Sequence, residues 1–304
     1  MITEEKFYEK ASKFALLKNT DDKYFTFEEY EKLIKDNQTD KNKTLIYLYS
    51  TNKTDQFTYI DKAKNKGYDV LLLDGQLDVH LINQLESKLK DTRFVRVDSD
   101  VVDKLIQKDE TRVSKLSEEQ KDDLKSVFTV TGKSKEIYNV VFETLDENDA
   151  PLIITQSEFM RRMKDMSQMG GGMNFYGELP DSYNLVVNPN HHIISKISED
   201  LQTKEGAKLT ENNKERLRMK EEIAFTEQEH KKKKVEEISQ IEKDDLEKLK
   251  NELSSVENAR KDILEAYGSS NKLVKQLIDL ALLANNMLKG EELNTFVKRS
   301  VDLL

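Results

Sequence analysis

The chain has 304 residues, enough for one large domain or two or three ordinary ones. Its 49 basic and 58 acidic residues leave a net charge of −9 and an isoelectric point near 5.3, which argues against a nucleic-acid binder held by charge. Cysteine is absent, so disulfides, thiolate catalysis and sulfur-ligated metals are excluded.

Within residues 1–110 the pattern alternates strand and helix. Thr44–Ser50 (TLIYLYS) is β-branched and aromatic, Asp69–Asp74 (DVLLLD) is a short apolar run closed by Asp-Gly, and Arg93–Asp98 (RFVRVD) alternates. Helical spacing fills the gaps at Thr58–Lys66 and Val79–Leu89. This order predicts a small parallel α/β layer, and the unbroken run Val70–Leu73 suits a strand covered on both faces.

A polar stretch over 101–116 reads as a joint. A second unit follows, with a helix at Ser117–Phe128, strands at Ile137–Leu145 and Pro151–Thr155, a helix at Gln156–Met169 and a strand at Tyr183–Asn188. The three prolines (Pro151, Pro180, Pro189) and four of the ten glycines (Gly170, Gly171, Gly172, Gly177) crowd into this part, which is therefore loop-rich. Residues 201–260 carry 14 basic and 15 acidic residues and no proline, with a short heptad at Leu246, Leu249, Leu253, Val256 and Ile263. They read as a long solvated helical excursion, at most a short coiled coil. Two helices close the chain at about 271–288 and 291–304. The fold class is thus α/β and α+β: a small three-layer α/β unit, then a mixed α+β unit with a charged helical insertion and a helical end.

The mean hydropathy is −0.73 and no apolar run approaches the roughly 18 residues that span a bilayer. The opening MITEEKFYEK lacks the apolar stretch of a signal peptide. A soluble, cytoplasmic protein is the expectation.

Motifs for chemistry are sparse. Asp74 ends a strand as the phosphoacceptor of a receiver does, but Tyr49–Asn52 supplies no acidic pair for the Mg²⁺ that an aspartyl phosphate needs. Asp-Gly also simply turns the chain. The sequence has neither GxGxxG nor GxxxxGK[ST], and the Gly170–Gly172 run follows a helix instead of opening one. His191 and His192 are adjacent and diverge in helix or strand, while His80 and His230 stand alone. No catalytic constellation and no metal set is expected.

Methionine carries more information. Met160, Met163, Met166, Met169 and Met173 lie beside the glycine run. On a wheel of about 100° per residue, Phe159, Met160, Met163 and Met166 share one side. Arg161, Arg162, Lys164, Asp165 and Gln168 cover much of the other. Such a stripe is either ordinary core or an adaptable surface for varied apolar partners, since methionine is unbranched and polarisable. Leu277–Ala284 is apolar at seven of eight positions, too many for one stripe, and Leu293, Phe296, Val297, Val301 and Leu304 form a clean face on the last helix. A two-fold bundle with a second copy would cover both, and packing within the chain is the alternative.

At these residues the sequence resembles the heat shock protein 90 chaperone family, bacterial HtpG type. The resemblance rests on Ile46–Tyr49 (IYLY) and Gly67–Asp74 (GYDVLLLD), Phe142–Leu145 (FETL) and Asp149–Thr155 (DAPLIIT). It continues through Met160–Met163 (MRRM), Leu185–His191 (LVVNPNH), and Leu280–Ala284 (LALLA) with Phe296–Arg299 (FVKR). These run in the family's order, and coverage is poorest at 201–260. His192 stands where the family has proline, and the acidic tail peptide of eukaryotic cytosolic members is missing. The resemblance implies the C-terminal half of a longer chaperone. Residues 1–112 would be the end of a middle domain and 113–304 a C-terminal dimerisation domain, with the insertion at about 201–262. It implies no catalysis or cofactor in this chain, with ATP and Mg²⁺ bound elsewhere in the parent protein. Its partners would be a second copy and non-native clients, with no nucleic acid and no membrane. The client-contacting residues would be Phe159, Met160, Met163, Met166, Met169 and Met173. The dimer interface would comprise Leu273, Leu277, Ile278, Ala281, Ala284, Leu293, Phe296, Val297, Val301 and Leu304.

Overall fold

The computed structural model describes residues 5–75, 77–108, 112–129, 137–157, 159–162, 182–233 and 239–303. Helix and strand are mixed throughout, with small sheets embedded in a largely helical chain.

The first helix, α1 (Glu5–Ala11), leads into a short antiparallel hairpin, β1 (Leu16–Lys18) and β2 (Tyr24–Thr26), whose turn places Asp22 at φ 62°. Strands of three residues around a polar turn carry no readable alternation. Asn19 secures this hairpin, its Oδ1 accepting from Asp21 N and Lys23 N (both 3.0 Å) and its Nδ2 donating to Asp69 Oδ2 at 2.9 Å. Helix α2 (Phe27–Gln38) starts on a capping box. Thr26 Oγ1 accepts from Glu29 N at 3.3 Å, and the Glu29 carboxylate accepts the Thr26 N–H at 2.8 Å.

The parallel layer then forms as the sequence predicts. Strand β3 (Leu45–Ser50) lies between β4 (Val70–Leu72) and β5 (Thr92–Arg96), both parallel to it, with α3 (Phe57–Asn65) and α4 (Asp78–Lys88) as crossovers. Side chains alternate across the sheet, so Tyr47 and Tyr49 pack on one face with Tyr30 and Ile34 of α2 and Ile82 and Leu85 of α4. Ile46 and Leu48 pack on the other face with Ile60 and Ala63 of α3 and with Leu105 of the short helix α5 (Val102–Leu105). Burial on both faces is why this strand reads as an unbroken apolar run.

Beyond the joint, α6 (Glu118–Thr129) covers a second sheet in which β8 (Ser182–Val187) is central. Strand β6 (Ile137–Phe142) runs parallel to it and β7 (Leu152–Thr155) antiparallel. One face of this sheet, including Val140, Leu152, Ile154, Leu185 and Val187, is buried under Leu124, Val127 and Phe128 of α6 and the helices that follow. On the other side Val186 packs with Val101 and Leu145.

The charged excursion is an antiparallel helical pair, α7 (His192–Lys232) and α8 (Gln240–Ser270). With 41 residues, α7 is about 60 Å long. It begins nine residues earlier than the composition shift at 201, because Ile194, Ile197 and Leu201 still serve the core. Farther out the pair is held by crossed contacts: Lys220–Glu257 at 2.9 Å, Lys250–Glu227 at 2.7 Å and Asn212 Nδ2 to the Val256 carbonyl at 2.9 Å. The predicted heptad positions Leu246, Leu249, Leu253 and Val256 are half-buried in this pair. At its root Arg260 donates to Asp123 Oδ1 (2.7 Å) and to the Leu209 carbonyl (2.9 Å), joining α6, α7 and α8 through one buried guanidinium. Helices α9 (Lys272–Ala284) and α10 (Gly290–Leu303) close the chain.

Candidate functional site

The methionine-rich segment begins at a helical turn over 159–162. Phe159 is 69% exposed and Met160 half-buried; Met163, Met166, Met169 and Met173 lie outside the described residues. The spacing sets Arg161 and Arg162 opposite the methionine stripe, and both turn toward the first sheet. Arg161 is buried, and its Nη2 donates to the Tyr49 hydroxyl at 2.5 Å. Arg162 grips Glu86, with Nη1 to Oε2 at 2.8 Å and Nη2 to Oε1 at 3.2 Å, and also gives Nη2 to the Phe94 carbonyl at 3.0 Å. Just upstream, the Gln156 N–H donates to the Asp98 carbonyl (3.1 Å) and its side-chain oxygen accepts from Arg96 at 3.0 Å. The turn is therefore fastened to the first sheet by its polar side while Phe159 faces solvent. The inward arginines have a physical cause: Tyr49, Glu86 and the edge of β5 offer polar partners that no local pattern announces.

The closing helices divide their apolar residues between two jobs. Val274, Leu277, Ile278 and Ala281 of α9 belong to the chain's own core, and Phe296 of α10 is 7% exposed. Leu277, Ile278 and Ala281, expected to meet a second chain, are buried within this one beside α6 and β7, and Phe296 is buried as well. Leu273 and Leu293 are half-buried and Leu304 lies outside the described residues. What stays open is Leu280 (46% exposed), Leu283 (38%), Val297 (50%) and Val301 (66%), with Ala284. Leu280 and Leu283 are absent from the expected interface set, although the excess of apolar positions in 277–284 was the signal that pointed to them. The helices are locked together by Arg299 Nε to Gln276 Oε1 at 2.9 Å, by Arg299 to Asp279, and by Gln276 Nε2 to Ser300 Oγ at 2.7 Å. An apolar strip on two mutually fixed helices is a preformed surface.

A third feature has no local sequence signal. The Tyr59 hydroxyl of α3 lies between the Ile154 carbonyl of β7 and Asn285 Oδ1 (2.7 Å) at the end of α9, and Asn286 donates to Asp55 at 3.1 Å. Burial pushes the Tyr59 phenol well above its ordinary pKa, so it stays a donor.

The adjacent histidines take a structural post. His191 caps α7, its Nδ1 accepting from Ile193 N at 3.1 Å, with His192 stacked on it at 4.5 Å between ring centroids. Asp74 is exposed beyond β4, and the next turn is tied by Asp78 accepting from Gly75 N at 2.8 Å. Among the described residues no three His, Cys, Asp or Glu side chains converge on a metal position, and no helix is long and apolar enough to cross a membrane.

A family model described as Hsp90 protein matches residues 5–217. Over the whole chain, the sequence is 48% identical across 306 residues to "Chaperone protein htpG" of Bacteroides fragilis (strain YCH46), covering 45% of that relative. It is likewise 48% identical over 310 residues to "Chaperone protein HtpG" of Bacteroides thetaiotaomicron and 44% over 306 residues to that of Porphyromonas gingivalis, again covering all of this chain and 45% of each relative. The chain thus spans about half the length of the curated relatives it matches.

Proposed function

The chain belongs to the Hsp90 family, and from that premise we propose that it acts as the dimerising, client-contacting half of an HtpG-type chaperone. Residues 1–112 are read as the end of a middle domain and 113–304 as a C-terminal domain, with α7 and α8 carrying the charged insertion. Two copies pair through the strip formed by Leu280, Leu283, Ala284, Val297 and Val301. Non-native proteins then meet apolar side chains on the segment that begins at Phe159 and continues through the methionines. ATP and Mg²⁺ bind elsewhere in the parent protein, which works in the cytoplasm. Pairing raises the effective concentration of the two parent halves for each other, and weak apolar contacts from both copies add without a specific pocket.

The observation that carries the client reading is the outward Phe159 on a turn whose arginines point inward. A core helix buries its apolar side, and this turn does the opposite. Methionine and phenylalanine there offer non-directional contact that suits many partners.

The test is suppression of aggregation of a heat-unfolded client by the chain and by Phe159→Glu and Met160→Glu variants. Loss of suppression in both variants, with unchanged circular dichroism, is the expected result. Peroxide supplies a second measure: Met160 and Met163 should oxidise much faster than Met219, which is 7% exposed. Full suppression by both variants, or oxidation of the segment as slow as that of Met219, would instead favour a purely structural dimerisation scaffold. The receiver-like alternative centred on Asp74 predicts labelling by a phosphoryl donor that Asp74→Asn abolishes, and no labelling is expected here.

A further inference from the structure

Where α3 approaches the end of α9 there is a cavity of about 100 Å³. Its wall includes Tyr59, Val101, Leu145, Ile153, Ala281 and Ala284, which come from four separate stretches of chain. Most polar groups on that wall are already engaged. The Tyr59 hydroxyl lies between the Ile154 carbonyl and Asn285 Oδ1, and Asn285 Nδ2 donates to the Ala281 carbonyl at 2.8 Å. A water inside would lack the two to four partners it needs. Lys62 and Asp149 on the lining face each other at 3.8 Å, and Asp103, which also lines it, is paired with Lys66 and Arg112, so an ion finds no unpaired charge. Well-packed interiors leave few voids larger than a water molecule, and dry apolar cavities of this order accept a benzene-sized guest.

We propose that this cavity is a binding site for a small uncharged molecule of aromatic-ring size, which fills the joint between the first sheet's α3 and the C-terminal end of α9. Two alanines, Ala281 and Ala284, leave the room on the α9 side. Wall chemistry alone defines this site, independently of the chaperone reading. Occupancy ties the two elements together, because a guest that binds the docked arrangement stabilises it by mass action. Since α9 also presents Leu280 and Leu283, and Ala284 belongs to both sets, a guest in the cavity lies against the same helix as the proposed pairing strip.

Toluene is the probe. In the methyl-labelled 304-residue chain, a toluene titration should shift the methyl signals of Val101, Leu145, Ile153 and Ala281 saturably, leave those of Ile194 and Leu264 in place, and raise Tm with concentration. Ala281→Leu and, separately, Val102→Phe each fill the cavity from a different wall and should abolish the saturable shift. Absence of saturation in the wild type overturns the proposal whatever the variants do. Saturable shifts that survive undiminished in either folded variant overturn it as well, since the guest would then be bound elsewhere.

Discussion

Arg162 and Glu86 close the free edge of the first sheet. Among the described residues strand β5 is an edge strand, paired with β3 alone, and Phe94 points its N–H and carbonyl away from that partner. Glu86 Oε1 accepts the Phe94 N–H at 2.8 Å, Arg162 Nη2 donates to the Phe94 carbonyl at 3.0 Å, and the two side chains pair with each other. An uncapped edge invites pairing with another chain, so one ion pair both blunts the edge and anchors the base of the methionine-rich segment. Arg162→Ala should lower stability by about 1–3 kcal/mol, as for hydrogen bonds to charged partners at a half-buried site. Hydrogen exchange should show faster exchange at the Phe94 amide. A loss under about 0.5 kcal/mol in urea unfolding, the value of an ordinary exposed pair, would contradict this role.

The same contact shows what the sequence can and cannot disclose. The strands from Leu45 to Arg96 were legible because Ile46–Tyr49 and Val70–Leu73 are unbroken runs of strand-forming residues between amphipathic helices. The hairpin at Leu16–Thr26 was not, since three-residue strands give periodicity no room and its tie, Asn19 to Asp69, spans 50 residues. At 159–162 the spacing set Phe159 and Met160 apart from Arg161 and Arg162 and left core and surface both open for the apolar side; the structure exposes Phe159 and buries Arg161. Local pattern says which residues share a face; which face is covered depends on Tyr49 and Glu86, far away in sequence. For α9, the surplus of apolar residues implies cover on more than one side, of which the chain itself supplies one. It could not say that Leu277, Ile278 and Ala281 are covered from within while Leu280 and Leu283 are left open.

Gly268 permits the close crossing of α8 on α6. A Cβ placed there would sit 2.3 Å from the Val127 carbonyl oxygen, and a backbone atom cannot swing aside. Helix propensity alone predicts that Gly268→Ala would stabilise an exposed helix by about 1 kcal/mol. The crossing predicts the opposite sign, a loss of about 1–3 kcal/mol from overpacking. Urea unfolding decides, and a stabilised variant would remove the close approach from the account.

The start of α7 is sensitive to pH. His191 must be neutral at Nδ1 to accept the Ile193 N–H, and burial, then the neighbouring His192, hold its pKa below the ordinary 6.5. Because the folded pKa is the lower one, the unfolded chain takes up the proton first, so this contribution is complete above about 6.5 and is lost as pH falls through the folded value. The carboxylates held low by hydrogen bonds, Asp200 with Lys204 and Asp146 with Asn148, lose theirs only under more acidic conditions. Thermal melts from pH 7.5 to 5 should show a fall of about 0.5–2 kcal/mol in the wild type, the range of a lost N-cap. His191→Asn, which keeps a capping oxygen without titrating, should flatten it. An equal fall in that variant would assign the pH dependence elsewhere.

Burial separates two sets of apolar residues on the closing helices, and charge should affect them differently. Leu277→Glu places a carboxylate in the chain's own core, where Leu277 is 4% exposed, and should unfold it. Val297→Glu with Val301→Glu changes only exposed positions and should leave the fold intact. Cooperative melting of Leu277→Glu near the wild-type Tm would contradict this division.

The pairing of two copies through the open strip is tested most directly by light scattering after size exclusion over a concentration series. The account predicts a mass near twice 35.4 kDa that persists on dilution, and a fall to 35.4 kDa, with unchanged circular dichroism, when Val297 and Val301 are both replaced by glutamate. A wild-type chain that runs at 35.4 kDa at every concentration, or a double variant that keeps the doubled mass, would contradict it.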